Sequence, residues 1–293
     1  MQPPRVPQVE SFFHADTGTF THVVYDHDGG AAAIIDPVLD YDAAAARTST
    51  ASADAVLDFV RAHALDVGWI LETHAHADHL SAGAYLRDRL GATLAIGRGI
   101  TRVQAHFVAL FGIADEVRAD GSQFDRLFDD GDAFRIGTLD ARVIATPGHT
   151  ADSVTYLVGD AAFVGDTLFA PDVGTARADF PGADAAQLHA SLQRILGLPP
   201  ATRLFLCHDY PVQGRAPLAQ TTIAAERAAN PHLGEGIDAP AYISLRRARD
   251  AQLPVPRLLL PALQVNIRGG RLPEPDPNGT RYLRLPLDQV GAP

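Results

Sequence analysis

The run Thr73-His74-Ala75-His76-Ala77-Asp78-His79 constrains what this chain can fold into more than any other stretch. It sets three imidazoles and a carboxylate together, directly after the apolar segment Trp69-Ile70-Leu71. Neutral imidazole is the commonest biological metal ligand, and aspartate adds a hard anionic oxygen. One run cannot close a metal centre, so the fold must bring further ligands to it from distant parts of the chain. The sequence supplies them in one recurring form, a polar chelator just past a short apolar strand. His149 follows Val143-Ile144-Ala145 within Thr146-Pro147-Gly148-His149-Thr150; Asp166 follows Phe163-Val164-Gly165; His208 follows Leu204-Phe205-Leu206-Cys207. If these strands lie side by side, their loop ends place all seven groups along one edge. Pro147-Gly148 and Gly165 suit the turns that bring backbone close to a crowded centre. A structural zinc site usually closes four tight ligands, most often thiolates. With no thiolate cluster and more nitrogen and oxygen donors than such a site needs, this set reads as catalytic.

Composition narrows the class. The chain has 293 residues, 46% hydrophobic and 20% charged, which describes a globular protein with ample core. Its net charge of −11 argues against nucleic-acid binding, because no basic excess exists to release phosphate counterions. No apolar run approaches the ~18 residues of a membrane-spanning helix. Met1-Gln2-Pro3-Pro4 lacks a charged start followed by an apolar core, so no secretory signal is expected. The single cysteine, Cys207, rules out an internal disulfide, which fits a reducing cytoplasm, and reads as a small buried hydrophobe. His14, His22, His27, His63, His106, His189 and His232 read as solvent-exposed or structural.

Short β-rich runs alternate with helical patterns. Strands are expected at Thr21 to Tyr25, Ala31 to Ile35, Trp69 to Leu71, Thr93 to Ile96, Phe134 to Ile136, Leu139 to Ala145, Val154 to Val158, Ala161 to Val164 and Leu204 to Cys207. Helices are expected from a Ser52 cap to Ala64, at Tyr85 to Leu90, across 101–118, and at Asp184 to Leu196, Leu218 to Ala229 and Ala241 to Leu253. Residues 42–51 read as a loop, and the proline-rich tail to Pro293 as largely extended. The order suggests an α/β four-layer αββα sandwich, two sheets packed together with helices outside. It divides into a catalytic domain over 1–211 and a helical and extended segment, 212–293, that covers the same domain because it lacks apolar residues for its own core.

The ordered set His-x-His-x-Asp-His, Pro-Gly-His-Thr, Gly-Asp and a strand-end histidine resembles the metallo-β-lactamase fold superfamily across about residues 11–211. The resemblance implies the αββα sandwich but leaves the chemistry open, since this fold hosts hydrolases, nucleases and oxygenases. Finer features resemble the persulfide (sulfur) dioxygenases, bacterial type with an extended C-terminal segment. They are Ile34-Ile35-Asp36-Pro37-Val38, Gly165-Asp166-Thr167-Leu168-Phe169, the loop Gly174-Thr175-Ala176-Arg177-Ala178-Asp179-Phe180-Pro181-Gly182, Cys207-His208-Asp209-Tyr210 and Val265-Asn266-Ile267-Arg268. Ala178 departs from the polar or cysteine residue of that loop, which bears on substrate preference.

This second resemblance implies one Fe(II) per chain held by His74, His149 and Asp166, with His76, Asp78, His79 and His208 orienting ligands around it. It implies oxidation of glutathione persulfide, or a related small persulfide, by O2 and water to sulfite and the free thiol. Arg177 then becomes a candidate grip for a substrate carboxylate, with Asp179 as loop support, and Tyr210 and Arg268 are further substrate-binding candidates. Arg268 requires the tail to fold back over the site. The competing reading is a glyoxalase II-like hydroxyacylglutathione hydrolase with two zinc ions, in which the same seven residues all ligate. β-Lactamase activity ranks lower, since such enzymes are exported. A non-enzymatic metal or thiol sensor ranks lowest, because no basic DNA-binding element is visible. No nucleic-acid or membrane partner is expected, and a homo-oligomer is compatible with either enzyme.

Overall fold

The computed structural model describes residues 6–233 and 237–290. Met1-Gln2-Pro3-Pro4, the segment read for a secretory signal, lies outside the described residues. The chain runs β1 (Gln8–His14), β2 (Thr19–Tyr25), β3 (Ala31–Ile35), β4 (Val38–Asp42), β5 (Arg47–Ser49), α1 (Ala51–Ala62), β6 (Asp66–Leu71), β7 (Leu80–Ser81), α2 (Gly83–Leu90), β8 (Thr93–Gly97), α3 (Ile100–Phe111) and β9 (Arg126–Phe128). It continues through β10 (Ala133–Ile136), β11 (Leu139–Ala145), β12 (Val154–Val158), β13 (Ala161–Phe163), α4 (Ala185–Leu196), β14 (Arg203–Phe205), β15 (Gln220–Thr222), α5 (Ile223–Ala229), α6 (Ala239–Asp250) and α7 (Leu259–Asn266).

One six-stranded sheet has the order β1-β2-β3-β6-β8-β9, a second has β10-β11-β12-β13-β14-β15, and β5-β4-β7 form a small third sheet. The alternation of side chains along each strand builds the layers. Ile34 and Ile70 point outward to a core shared with Val56, Leu57 and Val60 of α1, Leu86 of α2 and Phe107 of α3. Their neighbours Ile35 and Leu71 point inward and meet Val143, Tyr156, Phe163 and Phe205 of the second sheet. On the far side, Leu188, Leu192 and Ile195 of α4 cover Ala162 and Leu204, with Ile223 and Tyr242. Four layers result, as the order of elements implied. β3 and the Trp69-Ile70-Leu71 end of β6 are covered on both faces, so these stretches read as continuous apolar runs.

β3, β6 and β8 pair in parallel, as do β13 and β14. The loops after β6, β13 and β14 carry the His74 to His79 run, Asp166 and His208, and the loop after β11, antiparallel to β12, carries His149. Asp184 caps α4 by accepting from Gln187 N, which sets the helix start the sequence implied.

Several expectations needed correction. Residues 42–51 are not a simple loop: β4 and β5 form a hairpin there, with Asp42 opposite Arg47. Ser52 does not cap α1, because Ser52 N and Oγ both donate to Asp40 from inside the helix. The helix expected across 101–118 ends at Phe111, where Gly112 adopts φ 62°. The helix expected from Leu218 starts at Ile223, since Gln220–Thr222 is recruited as the edge strand β15 against β14. β1, which pairs with β2, has no counterpart among the expected strands. The tail holds α7, whose Pro261 falls in the first turn, where a missing N–H costs no helical bond. Leu259, Ala262, Leu263 and Val265 of α7 belong to the core that covers the first sheet. Among the described residues no helix is long and apolar enough to cross a membrane.

Candidate metal centre

The seven predicted chelators meet at the strand ends. The ligand atoms of His74, His149 and Asp166 lie within 4.8 Å of one another, as do those of His76, Asp78, His79 and His208. Asp166 joins the two groups: Oδ2 is 3.9 Å from His74 Nε2 and 3.6 Å from His149 Nε2, and Oδ1 is 3.4 Å from His208 Nε2. His208 Nε2 also lies 3.1 Å from Asp78 Oδ2.

Close backbone packing permits this convergence. Gly165 adopts φ 52°, and a Cβ there would sit 2.7 Å from Thr73 Oγ1. Gly148 adopts φ 139°, and a Cβ would collide with the Leu188 backbone at the start of α4. Any side chain would push the Asp166 turn or the His149 turn away from the centre.

Partners on the outer side fix which ring nitrogen faces inward. His149 Nδ1–H donates to the Arg177 carbonyl at 2.8 Å, leaving the Nε2 lone pair toward Asp166. Thr73 Oγ1 donates its only proton to Asp36 Oδ2 at 2.9 Å, so toward His74 Nδ1, 3.1 Å away, it can only accept. That arrangement leaves His74 Nε2 unprotonated. His76 Nε2–H donates to Asp36 Oδ1 at 3.0 Å, leaving Nδ1 as the inward atom. Asp36 itself holds φ 50°, a strained backbone for a non-glycine residue, and also accepts from Thr73 N at 2.7 Å. Thr19 Oγ1 bridges His79 Nδ1 and His208 Nδ1 at 3.4 and 3.2 Å.

Whether these residues fit a metal can be judged from what remains unpaired. Among the described residues, His74 Nε2, His76 Nδ1, Asp78 Oδ2, His79 Nε2, Asp166 Oδ1 and His208 Nε2 are buried without a hydrogen-bond partner. Each such group costs about 1–3 kcal/mol unless something satisfies it. Six aimed at one region, all nitrogen or carboxylate oxygen, fit cation binding. Burial, and then His76 and His149 beside it, drives the His74 imidazole well below its ordinary range. Burial followed by His79 does the same to His76. Both rings are neutral at physiological pH, the form in which imidazole ligates. Burial would raise the Asp78 carboxyl, but His208 and His79 hold it below the usual range. Burial raises Asp166 despite the opposing pull of His208.

The centre forms the floor of a cavity of about 440 Å³. Its apolar wall includes Phe169, Val173, Phe180 and Leu258, and Arg177, Tyr210, Arg246, Arg249 and Arg257 also line it. The substrate candidates separate here. Tyr210 stacks on His208 with ring centroids 5.9 Å apart. Arg177 lines the cavity, but Asp179 holds its guanidinium bidentately at 2.6 and 2.8 Å, and Nη1 donates to the Pro254 carbonyl. Arg268 does not reach the cavity; it pairs with Glu116 at 2.7 Å. The tail touches the centre through Asn266 instead, whose Nδ2 donates to the His76 and His79 carbonyls at 2.8 Å each. Cys207 is buried and burial pushes its thiol well up, so it offers no thiolate. His22 and His232 are buried in protein hydrogen bonds.

Sequence reasoning passed over Asp36, Thr73, Thr19, Asn266 and Arg249 as site residues. Asp36 carried a readable signal, a carboxylate ending an apolar strand just before proline. The others are ordinary polar residues until the fold selects their neighbours.

The wider comparisons agree with this geometry. The family model described as Metallo-beta-lactamase superfamily matches residues 16–208, a span that contains every chelator above. The "Beta-lactamase hydrolase-like protein" of Agrobacterium fabrum is 54% identical over 97% of this chain, which spans 65% of that relative's length. Human "Persulfide dioxygenase ETHE1, mitochondrial" is 29% identical over 89% of this chain and 88% of its own length. The crystal structure of ETHE1 from Myxococcus xanthus superposes with a TM-score of 0.72 at 31% identity, covering 90% of this chain and all (100%) of that one. With its two facing sheets, its strand-end chelators and this match in sequence and structure, the chain belongs to the metallo-beta-lactamase superfamily.

Proposed function

We propose that the chain is an iron-dependent persulfide dioxygenase, converting RSSH, O2 and H2O to RSH, sulfite and two protons, with glutathione persulfide or a related small persulfide as RSSH. The observation that carries this reading is the position of the loop around Arg177. The segment that resembles persulfide dioxygenases lies against the metal cluster, gives its Arg177 carbonyl to His149, and sets the Phe180 ring 5.2 Å from that imidazole. Likeness to the two ETHE1 proteins over about nine-tenths of the chain supports it.

In this reading His74, His149 and Asp166 would hold one Fe(II) through two nitrogens and a carboxylate. Fe(II), when bound, supplies the electron chemistry with dioxygen that zinc lacks. The protein does the rest. Asp36 and Thr73 keep the His74 donor atom free of a proton, and the Arg177 carbonyl does so for His149. His76, Asp78, His79 and His208 orient the surrounding shell. Phe169, Phe180 and Leu258 present an apolar wall that limits water around a reactive sulfur. The reading places the enzyme in the cytoplasm, where small thiols stay reduced.

One observation favours a second reading. The unpaired atoms of His76, Asp78, His79 and His208 form a second donor set beside Asp166, as a two-zinc thioester hydrolase needs. The test is anaerobically purified protein, analysed for metal and given glutathione persulfide in an oxygen electrode. One iron per chain and stoichiometric oxygen uptake are expected. Two zinc ions per chain with hydrolysis of S-lactoylglutathione, and no oxygen uptake, would overturn the dioxygenase.

A further inference from the structure

Four arginines line the cavity over the metal centre, and they differ in what already holds them. Arg177 is taken by Asp179 and Pro254 O. Arg246 is buried, bound to Asp250 at 2.7 Å, and donates to the Thr175 carbonyl at 2.9 Å. Arg249 lies three residues further along α6, on the same helix face, and Arg257 follows in the connector to α7. Among the described residues, the guanidinium groups of Arg249 and Arg257 have neither a hydrogen bond nor an ion pair. Asp16 lines the same cavity, also without an ion pair among the described residues, and with Arg257 it borders an adjoining polar recess of about 610 Å³.

We infer that Arg249 and Arg257 form an anion subsite that takes the carboxylates of the thiol carrier, with Asp16 receiving its ammonium group. The charge layout fixes the direction of entry. The donors of the metal centre, which the sulfur must reach, lie at the cavity floor, whereas the two unengaged guanidinium groups on α6 and its connector offer planar, bidentate donors for carboxylate. A carrier bearing carboxylates therefore enters sulfur first and leaves its charged ends against α6 and its connector. The cavity volume of about 440 Å³ suits a small-molecule ligand of tripeptide size. The ligand class is a zwitterionic peptide thiol with more than one carboxylate. This deepens the function proposed above, and it rests on that reading for the persulfide but not for the carrier.

The test separates the two. Binding of S-methylglutathione is measured by titration calorimetry on the metal-loaded protein, alongside steady-state oxygen uptake with glutathione persulfide and with its diethyl ester. R249A and R257A should each weaken S-methylglutathione binding and raise KM for glutathione persulfide by about tenfold or more, with kcat within about threefold. KM for the diethyl ester persulfide should not move in either variant. R247A, on the same helix but outside the cavity lining, serves as the control and should match wild type. If wild type binds S-methylglutathione and the variants lose it, but no oxygen is consumed, the dioxygenase reading falls and the subsite stands. If oxygen is consumed and both variants keep wild-type KM and binding, the subsite is wrong. Failure of wild type to bind S-methylglutathione overturns it as well. Tighter binding of coenzyme A than of S-methylglutathione would overturn the assignment to carboxylate in favour of phosphate.

Discussion

The Nδ1–H of His149 donates to the main-chain carbonyl of Arg177, 2.8 Å away and 28 residues on. One hydrogen bond thus ties a metal-facing imidazole to a loop that the C-terminal helices hold in place. Arg246 of α6 donates to the Thr175 carbonyl, and Asp250 Oδ2 accepts from Ala178 N at 2.9 Å. The carbonyl that His149 uses lies between these two clamps.

Asp250→Ala should therefore weaken the centre from a distance. It removes the clamp on Ala178 and leaves Arg246 buried without its counter-charge, an error that costs about 3–5 kcal/mol. Urea denaturation should report that loss, and titration of Fe(II) into apoprotein should show affinity reduced by about tenfold. D250N, whose amide oxygen can still accept from Ala178 N, should fall between the two. Wild-type metal affinity in D250A would refute the coupling.

Thr73→Val removes the hydroxyl that relays Asp36 to His74 while keeping the side chain's shape. His74 can then place its proton on either nitrogen, and its ring loses the contact that orients it. Metal affinity should fall about 10–100-fold. Fold stability should change much less, so a drop in affinity at unchanged denaturation midpoint is the diagnostic result.

Metal removal should lower stability, because the six unpaired buried atoms are then left unsatisfied. Binding to the folded state alone stabilises it by about 2.7 kcal/mol at a metal concentration one hundred times Kd. Thermal unfolding with and without a strong chelator measures this, and an unchanged midpoint would argue against a metal on these residues.

Glu226 sets a pH dependence far from the centre. It is fully buried, and burial raises its carboxyl from the ordinary 4.5 to about 7, against the hydrogen bond it accepts from Asn230. The folded state binds this proton more tightly than the unfolded state, so the contribution is complete below pH 4.5 and is lost as pH rises through 7. Glu226→Gln should thus gain stability over wild type as pH rises from 5 to 8, by up to about 3 kcal/mol. His22 and His232, both held near 4 by burial, act in the opposite sense. Their contribution is present above pH 6.5 and lost as pH falls through 4. Denaturation midpoints measured across this range for both proteins check the signs.

The sequence by itself determined the chelating set and the layered architecture around it. Both are local matters: each chelator follows an apolar strand that must be buried, and the alternation of Ile34 with Ile35 and Ile70 with Leu71 commits each strand to two covered faces. What only the tertiary structure decided is which charges are free and which are spent. Arg177 was legible as a cation near Asp166, yet Asp179 and a carbonyl 77 residues away consume it. Arg268 pairs with Glu116, while Asn266, two residues earlier, meets the histidine loop. Arg249 gave no signal in the sequence and faces the cavity. The physical reason is that residue type and spacing fix what a side chain can donate or bury, whereas its partner is set by contacts across long stretches of chain. A charge far from its partner in sequence carries no local mark of being paired.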